Sequence, residues 1–239
     1  MLGGMKNQAC DLILKNSSIC LIKDQKLHFE EHDLCLANNK IVHIGSSLKW
    51  SSEEIIDCKG LSAFPGFIDS QVHFREPGLE HKEDLASGSL SAVKGGVTSV
   101  FEMPNTKPPT SNREALEYKL KAAQGRMRTN FAFYAGATLN NIDILPELEQ
   151  IQGCCGTKIF MGSSTGDLLV DELQGLEKIL SVLKRNVAVH SEDESSLKRR
   201  LPFQRPGDPA SHADWRDAET AFTSTKNLIE LAQKTKKRV

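Results

Sequence analysis

Apolar residues first occur in short runs. Stretches 11–15, 18–22, 26–29, 33–37 and 40–44 are each a few apolar residues set between polar and turn-forming ones, which predicts short strands. Asn38-Asn39 predicts a hairpin turn before the last of them, because asparagine tolerates the left-handed backbone such turns use. Residues 1–60 are thus expected to form a small β module. After Leu61 the rhythm changes. Apolar runs at 63–69, 97–103, 130–137, 156–161 and 186–190 are separated by helix-periodic stretches at 82–94, 112–125, 142–152, 170–184 and 213–235. Nearly continuous apolar strands between helices predict parallel pairing with both faces of the sheet buried. Residues 61–239 are therefore expected to be an α/β domain of about five β/α units. Part of a closed barrel, which takes eight units, and an open doubly wound sheet both fit that pattern. Chemistry-bearing residues at several strand ends favour the barrel, and with fewer than eight units by Val239 the chain is expected to be the front portion of a longer protein.

Composition narrows the partners. With 239 residues, 39% of them hydrophobic, the chain can bury a large core. Its 30 basic and 31 acidic residues leave a net charge of -1, which offers no electrostatic case for nucleic acid or an anionic membrane. A small, locally recognised ligand is the natural expectation. No apolar run approaches the ~20 residues of a membrane span, and 1–11 lacks the apolar core of a signal peptide, so a cytoplasmic location is expected. Six cysteines without C-x-x-C spacing are expected to be free thiols in a reducing compartment.

Candidate chemistry lies where apolar runs end. The first is Phe67-Ile68-Asp69-Ser70-Gln71-Val72-His73-Phe74-Arg75-Glu76-Pro77-Gly78. On a strand, alternate residues share a face, which would direct Gln71, His73 and Arg75 into one site, a metal ligand beside an anion clamp. Met103-Pro104-Asn105 closes the second run. Lys158 stands inside an apolar strand, where a charged amine is costly unless it snorkels, pairs or is chemically altered. His190 ends the fifth run, and Glu192 and Asp193 behind it are placed to orient the imidazole or cap the next segment. Thr165-Gly166-Asp167 reads equally as a substrate loop and as a plain turn.

These motifs together resemble the dihydroorotase branch of the amidohydrolase superfamily. The resemblance implies a (β/α)8 TIM barrel, here about five units, with a small N-terminal β-sandwich module that a C-terminal tail completes. It implies one or two Zn2+ ions held by His73, His190 and Lys158, the lysine carboxylated to bridge two metals. Gln71 stands where the superfamily usually has another histidine, and an amide oxygen is the weaker zinc donor. Arg75 and Asn105 match the residues that bind the substrate carboxylate, a group that a planar guanidinium grips through two hydrogen bonds. A strand-six histidine and the general-base aspartate are expected beyond Val239. The implied activity is reversible, zinc-dependent hydrolysis of dihydroorotate to N-carbamoyl-aspartate in pyrimidine biosynthesis, by a homo-oligomer that associates with other enzymes of that pathway. An allantoinase- or hydantoinase-like enzyme and a non-catalytic partner protein are the alternatives. His212 and Arg216 resemble a helix start of the family and are expected to be structural.

Overall fold

The computed structural model describes residues 8–162 and 168–239, so the Thr165-Gly166-Asp167 segment lies outside the described residues. The chain divides into two units, Met1–Gly66 and Phe67–Val239.

The first unit is all β. Its strands are β1 (Gln8–Ala9), β2 (Leu12–Lys23), β3 (Lys26–Ala37), β4 (Lys40–Gly45), β5 (Trp50–Ser51), β6 (Glu54–Asp57) and β7 (Ser62–Ala63). Four of the expected short strands are in fact the halves of two long ones. β2 and β3 pair antiparallel from Leu12↔Leu36 to Lys23↔Lys26, with one irregularity between Leu14 and Ser17. Asn16 sits there at φ 57°, an interruption of the alternation that reads in sequence as a break. The turns Asp24-Gln25 and Asn38-Asn39 have both residues at positive φ, which matches the twist of a tight hairpin. The main sheet runs β4-β3-β2-β6, with β7 also on β2, while β1 and β5 form a second small sheet. Cys10, Ile13 and Cys35, packed with Ala37 and Trp50, form the core of this unit.

The second unit alternates β8 (Phe67–Val72), α1 (Leu85–Lys94), β9 (Val97–Glu102), α2 (Arg113–Ala123), β10 (Asn130–Gly136), α3 (Leu145–Leu148), β11 (Cys154–Phe160), α4 (Leu173–Val182), β12 (Val187–His190), α5 (Glu194–Arg200), α6 (Ser211–Trp215) and α7 (Ala218–Thr235). All strands are parallel, in the order β8-β9-β10-β11-β12. A doubly wound sheet reverses direction at a switch point; this one never does, so it is an arc of a barrel. Val100, Phe133, Ala135, Ile159 and Val187 carry the core between the sheet and helices such as α2 and α4, which contribute Leu116, Leu176 and Ile179.

Several boundaries differ from the sequence reading. β8 begins at Phe67, and its residues through Gln71 are exposed, because among the described residues this outer strand pairs on one side only. The helix expected over 142–152 is a 3-10 turn, Ile142–Ile144, and a single α turn containing Pro146, with Gly153 following at φ 95°. α5 went unread, although Asp193 caps it and Lys198, Arg199 and Arg200 complement its C-terminal dipole. The helix expected over 213–235 is interrupted at Arg216, after which Asp217 accepts from the Thr220 amide and starts α7 anew. No helix among the described residues is long and apolar enough to cross a membrane.

Candidate active site

Two loops carry the first motifs, and their docking sets the site. β8 stops at Val72, whose carbonyl accepts from the Met103 amide at 3.0 Å. His73 and Phe74 are already outside the strand, and Arg75 takes φ 66°. A left-handed residue ends strand alternation, so the shared face expected for Gln71, His73 and Arg75 does not extend to Arg75. The 73–78 loop instead leans on the 103–110 loop. The Lys107 amide donates to the Pro77 carbonyl at 2.9 Å, and Gly78, at φ 85°, lies so close that a Cβ would stand 2.2 Å from the Lys107 carbonyl oxygen. This docking lets His73 Nδ1 donate to Asn105 Oδ1 at 2.8 Å. A neutral imidazole has one N–H, so that bond leaves the His73 Nε2 lone pair available to a ligand.

Two ion pairs, one of them buried, hold the same loops from behind. Glu76 accepts from the Leu85 amide at 3.0 Å and from Arg126 through both carboxylate oxygens, at 2.6 and 3.0 Å. Burial pushes the Glu76 carboxyl up, but Arg126 and the Leu85 amide outweigh it and hold the group below its ordinary value. Glu102, the last residue of β9, pairs with Lys119 of α2, and both side chains are almost wholly buried. Lys119 Nζ also donates to the Met103 carbonyl at 3.3 Å, which ties the pair to the Asn105 loop. Burial raises the Glu102 carboxyl to about 7, against the opposing pull of Lys119 and Arg75. Sequence reasoning missed this pair. Its signal was a lysine on the buried stripe that Leu116, Lys119 and Ala123 form along α2.

The remaining candidates come from adjacent strands. Lys158, in β11, is 2% exposed and its side chain makes no hydrogen bond or ion pair among the described residues; its Nζ lies 4.8 Å from the Phe160 ring centroid. Burial lowers its pKa to about 8. His190 ends β12 in register with Phe160, and the two rings stack with centroids 6.2 Å apart. Its Nε2 hydrogen-bonds the Glu192 carboxylate, while Asp193 caps α5 by accepting from the Ser196 amide at 2.7 Å. Of the two roles open to these acids, Glu192 takes the orienting one and Asp193 the capping one. Burial is the chief cause that keeps the His73 pKa below its ordinary value, followed by the charge of Arg75 and, more weakly, of Lys158 and His190. The Arg75 side chain makes no hydrogen bond or ion pair among the described residues, and the exposed Gln71 makes no side-chain hydrogen bond to the other candidates.

Residues 60–163 match a family model described as dihydro-orotase-like. That match covers less than half of the chain. It contains His73, Arg75, Asn105 and Lys158, and His190 lies beyond it. The dihydroorotase of Methanosarcina acetivorans is 36% identical over 192 residues, which are 77% of this chain and 40% of that protein. The allantoinase of Escherichia coli is 34% identical over 194 residues, 77% of this chain and 41% of that one. The chain thus spans about two fifths of the length of these relatives. Among solved structures, the L-hydantoinase of Arthrobacter aurescens superposes with a TM-score of 0.86 over 96% of this chain and 52% of its own, at 23% identity, a likeness of fold. A D-hydantoinase structure gives a TM-score of 0.76 at 26% identity, over 93% of this chain and 50% of its own.

Among the described residues no three His, Cys, Asp or Glu side chains gather so as to hold a metal ion. The donors present are two imidazoles, each with one nitrogen committed to a protein acceptor, and a buried amine with no anionic partner among the described residues. The free imidazole nitrogens suit zinc, and a carbamate on Lys158 would add the oxygen donors the set lacks. The residues present fit the metal on that basis.

Proposed function

We propose that this chain carries part of the site of a zinc-dependent dihydroorotase, one that reversibly hydrolyses the cyclic amide of dihydroorotate to N-carbamoyl-aspartate. The observation that carries the reading is a buried Lys158 whose amine has no hydrogen-bond or ion-pair partner among the described residues, on a strand that pairs in register with the one His190 ends. His73 through Nε2, His190 through Nδ1 and Lys158 as its carbamate would hold the metal, and Gln71 adds nothing from its exposed position. Bound zinc lowers the pKa of water to about 7 and polarises the carbonyl to be attacked. The chain's own residues bind and orient. Arg75 grips the substrate carboxylate through two parallel N–H bonds, and Asn105, its oxygen held by His73, donates through Nδ2 to the same group. Burial keeps Lys158 nearer the neutral amine that reacts with carbon dioxide. Small-molecule substrates agree with the relatives named dihydroorotase and allantoinase. Allantoin carries no carboxylate, so Arg75 is the residue that separates the two.

The test is zinc content by elemental analysis, incorporation of 13C-labelled bicarbonate as a carbamate signal, and turnover of dihydroorotate against allantoin. Stoichiometric zinc, a carbamate signal absent from Lys158→Ala and a preference for dihydroorotate that Arg75→Met abolishes are expected. A chain without zinc, or one that prefers allantoin, would overturn the reading.

A further inference from the structure

The helix start containing His212 and Arg216 looks structural in the sequence, yet it reaches the candidate site. Arg216 Nη1 donates to Glu192 Oε2 at 2.9 Å, and the same oxygen accepts from His190 Nε2. Both partners of this ion pair are largely shielded, with side chains 21% and 14% exposed, so water screens them weakly. Arg216 has no other ion pair among the described residues, and its Nε is buried without a hydrogen-bond partner. Its guanidinium lies over the Trp215 ring, 4.7 Å from the centroid. Trp215 in turn donates from Nε1 to the Leu197 carbonyl at 3.0 Å, and Arg200 Nη2 donates to the Asp214 carbonyl at 2.5 Å, which fixes α6 on α5.

The segment after His190 is held at two further points. Ser191 Oγ bonds Ser224 Oγ and Thr225 Oγ1 at 3.1 and 3.0 Å, and the Asp193 amide donates to the Thr220 carbonyl at 3.1 Å. The Glu192 carboxylate therefore has little freedom to turn. Because an ionised carboxylate only accepts, the nitrogen facing it must carry the proton of a neutral imidazole.

We propose that Arg216, acting through Glu192, fixes His190 as its Nε2–H tautomer and so reserves Nδ1 for a metal. Arg216 and Glu192 are then positioning residues, and the claim about the metal rests on the functional reading above. The arrangement is the complement of His73, whose Nδ1–H is held by Asn105 so that Nε2 is free. One imidazole offers its far nitrogen and the other its near one, which lets ligands from different strands approach one point.

The experiment is 15N–1H correlation spectroscopy of the histidine rings in the metal-free 239-residue chain, together with zinc affinity from competition with a chromophoric chelator. The native chain is expected to show His190 as the Nε2–H tautomer. Glu192→Ala and Arg216→Met are expected to convert it to a tautomer mixture and to weaken zinc roughly 10- to 100-fold. Glu192→Gln, whose amide oxygen still accepts, is expected to restore the tautomer, and circular dichroism identifies any variant that has lost its fold. An Nδ1–H tautomer in the native chain would overturn the proposal. So would an unchanged tautomer in both Glu192→Ala and Arg216→Met, or a folded Glu192→Gln that behaves as the alanine variant. A native chain that takes up no zinc but whose tautomer follows Glu192 and Arg216 would sink the functional reading and leave the positioning pair established.

Discussion

The Asn105 side-chain oxygen accepts from His73. Its Nδ2 donors are left for other partners, a division that makes the two roles separable. Asn105→Asp keeps an acceptor for His73 but replaces the donor with a negative charge. On the proposed function it is expected to hold zinc nearly as the native chain does while raising the KM for dihydroorotate about 10- to 100-fold, the worth of a hydrogen bond to a charged group. Asn105→Ala should lose both properties, and steady-state kinetics beside chelator competition distinguishes the two variants. At Glu76 the sign of the pH effect follows from its pairing. A carboxyl held below its unfolded value by Arg126 stabilises the fold above that unfolded value, near 4.3, and the contribution disappears as pH falls through the folded one. Arg126→Met removes the outweighing partner and leaves burial in charge. The variant is expected to be about 1–3 kcal/mol less stable at neutral pH and to begin acid unfolding at higher pH, as urea titrations between pH 3 and 7 would show.

Where elements meet, side chains with no part in the chemistry decide its geometry. Gly78 is the contact point between two loops, and Gly78→Ala puts a methyl group against the Lys107 carbonyl at a backbone angle that alanine resists. A loss of about 1–3 kcal/mol is expected, with disappearance of the His73 N–H resonance shifted by Asn105. Beneath the loops, Lys119→Met strands the Glu102 carboxylate in the core. That should cost about 3–5 kcal/mol at pH 8, and less at pH 5, because an acid whose pKa burial has raised loses stability as pH climbs through it. The double variant Glu102→Gln, Lys119→Met is expected to recover part of the loss in a denaturation cycle. Neither device is visible in sequence as such. His73, Lys158 and His190 stand out because each is polar within or at the end of an apolar run, a local signal. The Asn105–His73, Lys119–Glu102 and Arg216–Glu192 contacts join residues 17 to 32 positions apart, and they depend on how loops and helices dock. Secondary structure divides the same way. The β/α rhythm is legible in periodicity, whereas the merging of short strands into β2 and β3 rests on backbone at Asn16 that alternation cannot register.

For the whole molecule, the strand order is what sequence left open between barrel and doubly wound sheet, since the same five apolar runs serve either until their neighbours are known. The barrel arc gathers ligands from non-adjacent stretches of chain, so metal binding should be linked to folding of the second unit. With zinc at 100 times its Kd, native stability is expected to rise by about 2.7 kcal/mol, and calorimetry in zinc buffers should find that gain missing in His73→Ala. The order has a further consequence in time. Because β8 to β12 each lie beside their predecessor, a strand emerging from the ribosome always meets an edge that has already been made. The His73–Asn105 bond needs only the first two strands, while His190 follows on the order of 10 s later at ordinary rates of synthesis. During that interval Lys158 already stands in a strand whose later neighbour, the one that ends at His190, is still to be made.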